Sequence, residues 1–174
     1  MSMDGNPYER LKLETGDELS YLGTKRILTV IRDDRKFAKA KGISDRIFLW
    51  VPYHADYVMK REQLERWYRR EALSVFTKKA SAYAEILNVS FNEVYIKDQR
   101  SCWGSCSGKK NLNFNWRILM APEPVCDYII IHEVCHLVHM DHSPAFWELV
   151  ERYCPDYKKH KKWLKNYTEL LYLF

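Results

Sequence analysis

The stretch Ile131-His132-Glu133-Val134-Cys135-His136-Leu137-Val138-His139-Met140-Asp141-His142 decides how the rest of the chain is read. It holds His-Glu-x-x-His, with a further histidine six positions on. On a helix, His132 and His136 stand one turn apart and project from one face. Two neutral imidazoles held that way can chelate a single Zn²⁺. Glu133 lies about 100° round the helix from His132, placed to take a proton from a water at the ion without serving as a ligand. The pattern points to metal-assisted hydrolysis. Chance alone would put the pentapeptide in roughly one or two sequences per hundred of this composition, so its surroundings matter. From Val125 to Met140 only Asp127, His132, Glu133, His136 and His139 interrupt an apolar run. Burying so many ionisable groups is costly unless they are paired or bound to a metal. The competing explanation is a set of core histidines satisfied by hydrogen bonds.

A third ligand requires the helix to stop. On an uninterrupted helix His142 would stand about 9 Å further along the axis and about 240° round from His136, out of reach of the ion. Asp141, His142 and Ser143 are weak helix formers, and Pro144 disfavours helical dihedrals at Ser143. In the spacing H-E-x-x-H-x-x-G-x-x-H the glycine position is held here by His139, a residue type that tolerates left-handed dihedrals. His142 is therefore the expected third ligand. His139 is its rival, because a continuing helix would bring it near the face of His132. Glu148 and Glu151 are weaker choices.

The 174 residues are 47% hydrophobic and 14% aromatic, enough for a globular domain with a substantial core. The expected organisation is a flexible N-terminal arm over 1–15, then a single domain over 16–174. A net charge of +5 permits weak association with nucleic acid but does not demand it. No apolar run is long enough for a membrane span, and Met1 to Thr15 lacks the apolar segment of a signal peptide. Five scattered cysteines, an odd number, fit reduced thiols in the cytoplasm. Cys102 and Cys106 are four apart, with no partner pair to complete a structural zinc site.

Strand patterns occur at Leu19–Leu22, Arg26–Arg32 and Arg46–Val51, and predict an antiparallel meander. Lys60–Asn88 has helical periodicity, with Leu64, Trp67, Tyr68, Leu73, Phe76, Ala80, Tyr83, Ala84 and Leu87 on one face. Its other face is charged, including Arg61, Arg66, Arg69, Arg70, Lys78 and Lys79. That face is either a solvated surface or a basic patch for phosphate. Glu93–Lys97 and Asn111–Leu119 alternate as strands, and predict a hairpin ahead of the metal helix. The asparagines 111, 113 and 115 form either a solvent face or a polar wall beside the site. Gly104 within a strand pattern indicates a bulge or a close backbone approach, and an edge strand here could hold an extended substrate by backbone pairing. Pro122-Glu123-Pro124 opens the metal helix. Ser143 and Pro144 cap the next one, and Tyr157–Leu173 forms a last Lys-rich helix.

Several of these segments together resemble one family. Arg100-Ser101-Cys102-Trp103-Gly104-Ser105-Cys106-Ser107, Leu112-Asn113-Phe114-Asn115-Trp116-Arg117, the His132 motif and His142-Ser143-Pro144-Ala145-Phe146-Trp147 are similar to the YgjP-like metallopeptidase domain, a group related to WLM and SprT-like zinc proteases. The resemblance runs over about residues 18–170, with the stretch between Asp33 and Asp45 departing most. It implies an α+β, zincin-like fold in which an antiparallel or mixed sheet packs on the motif helix. It also implies one Zn²⁺ held by His132, His136 and His142, with Glu133 as general base, and a protein or peptide substrate of unspecified identity. Arg117, His139 and Tyr153 are candidates for stabilising the oxyanion. Asp127 and Asp141 either orient ligand imidazoles or act as surface and capping carboxylates. The alternative from another class is a non-catalytic, zinc-stabilised binding module associating with nucleic acid.

Overall fold

The computed structural model describes residues 11–172 and 174. Its architecture is α+β: two small mixed sheets, four α-helices and two 3₁₀ segments. Of the arm expected at 1–15, residues 1–10 lie outside the described residues. Within residues 11–15, Leu13 is fully buried, and the nearly buried Lys60 ammonium reaches the Lys12 carbonyl and the Glu14 carboxylate.

The first sheet contains β1 (Glu18–Tyr21), β2 (Thr24–Asp33), β3 (Lys39–Ile43) and β4 (Arg46–Pro52). Leu22 and Gly23 both take positive φ, 48° and 77°, as a two-residue hairpin turn between twisted strands requires. The sheet order is β1-β2-β4-β3, and β2 runs parallel to β4. The expected antiparallel meander is therefore wrong. The reason lies in β3, whose sequence Lys39-Ala40-Lys41-Gly42-Ile43 gives little strand signal. It forms the outer edge, where exposed lysines discourage further pairing. β4 buries Ile47, Leu49 and Val51 completely and takes the interior place between β2 and β3.

Helix α1 (Tyr57–Ile86) crosses both sheets. Asp56 caps its start by accepting from Met59 N–H at 2.9 Å. At its end Asn88 adopts φ 53°, while Asn88 N–H returns to Glu85 O and Val89 N–H to Ala84 O, a Schellman closure. Leu64, Trp67, Tyr68, Phe76, Ala80 and Ala84 are buried as the periodicity predicts, but Leu73 is exposed.

The second sheet pairs β5 (Val94–Lys97), β7 (Leu112–Asn115) and β6 (Gly104–Cys106) in the order β5-β7-β6. The expected hairpin is corrected here too: β5 is parallel to β7, and the antiparallel partner of β7 is β6. The alternation predicted through Leu119 ends at Asn115. Its Oδ1 accepts from Arg117 N–H at 3.0 Å, and the chain turns into the 3₁₀ segment Trp116–Met120 with every side chain buried. Two of the three asparagines use their side-chain amides in local hydrogen bonds. Asn113 bonds Ser105, and Asn115 donates to Gln99 O at 2.7 Å.

Helices α2 (Glu123–Cys135), α3 (Pro144–Tyr153) and α4 (Tyr157–Tyr167) complete the chain, followed by the 3₁₀ segment Thr168–Tyr172. α2 is apolar on nearly every face, the pattern of a helix enclosed by protein. It packs against α1, α3, α4 and the β6 strand. Among the described residues, no helix is long and apolar enough to cross a membrane.

Candidate metal centre

Three structural features bring histidines together at the end of α2. Pro122 and Pro124 set its first turn, and the packed apolar body fixes the rotation that points His132 and His136 to one side. The helix then stops. Leu137 N–H bonds Val134 O and Val138 N–H bonds Cys135 O, each at 3.0 Å, while His139 N–H also bonds Cys135 O. This is an i→i−3 tightening of the last turn. The left-handed residue expected at His139 is not used, since His139 is absent from the positive-φ residues among those described. The chain leaves the axis and returns through His142. Asp141 Oδ1 accepts from Ser143 N–H at 3.3 Å, and Ser143 Oγ caps α3 by accepting from Phe146 N–H at 3.4 Å.

The outcome is a cluster of His132, His136 and His142 whose potential ligand atoms all lie within 4.8 Å of one another. His132 Nε2 and His142 Nε2 are 3.2 Å apart. Two nitrogens each about 2.1 Å from one tetrahedral ion stand about 3.4 Å apart, so the spacing suits a shared Zn²⁺. His136 Nδ1 donates to the His139 carbonyl at 2.9 Å, which fixes its tautomer and leaves Nε2 free as a ligand. His132 is pushed down to about 3 by burial, then by the neighbouring imidazoles of His136 and His142. His136 is lowered by burial as well. Both rings are thus neutral, the form that binds metal.

Aromatic rings hold the cluster in place. Phe146 stacks on His136 with centroids 4.4 Å apart and meets His132 edge-on at 4.9 Å. Trp147 stacks on His142 at 5.7 Å and on Tyr157 at 5.2 Å, and Tyr128 meets His132 edge-on. In the sequence, Phe146 and Trp147 follow the third histidine by four and five positions. Their position just after the third histidine was the available signal that they buttress the site.

Glu133 is buried, at 4% exposure. Its Oε2 has no hydrogen-bond partner among the described residues, and burial raises its carboxyl to about 8. Gly104 on β6 lies directly against it: a Cβ added there would stand 2.7 Å from Glu133 Oε1 and 2.8 Å from Cγ. The close approach expected at Gly104 is thus to the proposed base itself. Among the described residues, β6 pairs with one strand only, β7, and stands at the edge of its sheet.

The remaining candidates lie elsewhere. His139 is outside the cluster and contributes its carbonyl. Glu148 is exposed, and Glu151 faces Lys158. Asp127 pairs with Lys79 at 2.7 Å and Asp141 caps the Ser143 turn, so neither bonds a ligand imidazole. Arg117 is committed to Asp98 and to the rings of Trp116 and Tyr172. Tyr153 is half-buried against the core.

The YgjP-like metallopeptidase domain matches residues 3–167. The chain belongs to this family. Family membership supports a zinc-type peptidase in general, and with it a hydrolase acting on protein or peptide. Among solved structures, the crystal structure of the metallopeptidase zymogen of Pyrococcus abyssi abylysin is similar, with 25% identity and a TM-score of 0.48 over 55% of this chain and 94% of that one. No curated protein matches.

Proposed function

We propose that this YgjP-like protein is a zinc-dependent peptidase in which His132, His136 and His142 hold one ion and Glu133 is the general base. The observation that carries the proposal is the convergence of three imidazoles beside a buried carboxylate on the helix that bears two of them. An ion held there supplies Lewis-acid polarisation of a carbonyl and lowers the pKa of water to about 7. Glu133 takes a proton from the attacking water and returns it to the leaving amine. Its burial matters: a carboxyl raised towards neutrality accepts and gives up a proton near physiological pH, whereas an exposed one is too weak a base. The Gly104 backbone limits where that carboxylate can go. The free edge of β6 offers backbone groups for an extended peptide. Five free thiols suit a reducing compartment such as the cytoplasm.

A non-catalytic, zinc-stabilised module is the rival. Structural zinc sites close with four protein ligands, and the cluster offers three among the described residues. Glu133→Gln should retain zinc and the melting temperature while losing cleavage of casein by at least a hundredfold. Full activity in that variant would remove the general-base assignment. Loss of zinc in it would make Glu133 a ligand instead.

A further inference from the structure

The first sheet gives only one of its faces to the core. Its inward residues Leu28, Ala40, Ile47, Leu49 and Val51 are buried, and α1 packs on that side, where Trp67 closes on Gly42. The register turns a second set outward: Thr29 and Ile31 of β2, Phe48 and Trp50 of β4, and Lys39 and Lys41 of β3. Among the described residues, Phe48 and Trp50 neither belong to the core nor pack against it. The two rings instead stack on each other, with centroids 5.7 Å apart and planes at 24°. Each has a lysine directly across the ladder: Lys41 opposite Phe48 and Lys39 opposite Trp50.

The free charge around the rings has one sign. Lys39, Lys41 and Arg46 form no ion pair among the described residues, whereas Glu18 and Asp33 at the margins are taken by Lys25 and Arg35. Asp34 and Asp45 lie in the turns beyond the strands. Arg46 Nη1 donates to Thr29 Oγ1 at 3.4 Å, which lays its guanidinium across this face. The Arg35 guanidinium stands 5.9 Å from the Trp50 ring centroid.

That combination discriminates between partners. Lysine is depleted from the apolar centre of protein–protein contacts, yet here one stands beside each ring. Phosphate accepts from lysine and arginine, and an unpaired base offers its flat π face to an aromatic ring. A duplex keeps its bases stacked on one another and shows only their edges. Sheets whose aromatic side chains stack two or three bases hold single-stranded RNA in this manner.

We infer that the outer face of the first sheet binds single-stranded nucleic acid, with bases stacked on Phe48 and Trp50 and phosphates held by Lys39, Lys41 and Arg46. The inference is independent of the peptidase reading, because neither the histidine cluster nor Glu133 lies on this sheet.

The test uses the full-length protein and fluorescein-labelled oligo(U) and oligo(dT) of about 12 nucleotides, with oligo(dT) annealed to oligo(dA) as the duplex. Fluorescence anisotropy is followed between about 50 and 200 mM salt. The single strands should bind about tenfold or more tightly than the duplex. Phe48→Leu and Trp50→Leu keep an apolar side chain on the strand, and each should weaken single-strand binding about tenfold. The double variant Lys39→Gln, Lys41→Gln alters only exposed side chains. It should melt as the wild type does and lower the slope of log affinity against log salt by about 1.4. Absence of binding at low salt overturns the inference, as does equal affinity for single strand and duplex. Single-strand binding that folded leucine variants leave untouched overturns it too. Where a leucine variant does not fold, the lysine variant decides alone, and an unchanged salt slope there is fatal. Binding to phosphatidylserine vesicles without binding to either single strand also overturns it, and would make this face a membrane contact.

Discussion

Gly104→Ala isolates the contact between the β6 backbone and the proposed base. The added Cβ would lie 2.7 Å from Glu133 Oε1, and ordinary contact begins at 3.4 Å, so the carboxylate must withdraw by about 0.7 Å. The atoms it meets belong to a side chain, and Gly104 has no positive φ to lose, so the fold should survive. Introducing a methyl group into a packed site typically costs about 1–3 kcal/mol, which for a chain of this size lowers Tm by about 2–12 °C. Catalysis should suffer more. Misplacing a reacting group by about 1 Å can cost on the order of a hundredfold, so kcat should fall about 10- to 100-fold, with bound zinc near one per chain. The assay is cleavage of a fluorogenic peptide, paired with zinc content and a thermal melt. Gly108→Ala is the control, because no atom lies within 4 Å of its added Cβ. A folded, zinc-loaded Gly104→Ala protein with kcat within twofold of wild type would refute the idea that β6 positions the base.

His142→Ala should lower zinc affinity by at least tenfold in a competition titration, whereas His139→Ala should leave it nearly unchanged, because His139 contributes a backbone carbonyl to His136. The reverse order would make His139 the ligand. Chelation should lower Tm: at free zinc 1,000 times Kd, the ion adds about 4 kcal/mol, or about 8–16 °C here, and a melt unmoved by chelator would argue against a site in the folded state. In the metal-free protein, Glu133 is raised from 4.5 to about 8, so the folded state holds a proton that the unfolded chain has released. Stability should therefore decline as pH rises from about 4.5 through 8, and denaturant titrations of Glu133→Gln should show a flatter profile over that window. His132, lowered from 6.5 to about 3, has the opposite sign: its contribution is lost as pH falls from about 6.5 towards 3.

The parts of this protein legible in its sequence are those encoded within one or two turns of chain. His132, Glu133 and His136 share a helix because the run around them is apolar, and Ser143-Pro144 marks the stop that frees His142. The long α1 was visible for the same reason, since its buried residues repeat every three or four positions. What escaped depends on contacts distant in sequence. Nothing local distinguishes β2 lying parallel to β4 from a meander, because the order follows from which strand is apolar enough to occupy the interior. Arg117 sits on the polar side of an apparent alternation, yet the strand ends two residues earlier and the side chain turns inward. The meeting of Gly104 with Glu133 joins segments 29 residues apart.

Two of the three clustered imidazoles sit on a stiff rod set in the core, and the third on an exposed bend just beyond it. An ion gripped by all three would close a ring of only eleven residues, from 132 to 142, and so short a loop costs little chain entropy to close. The knot it ties is local: α1, both sheets and most of α2 are packed without its help. Unlike a zinc finger, whose chain has no shape before loading, this protein builds its core from packing that does not run through the ion, and the His142 bend already brings its ring within 3.2 Å of His132.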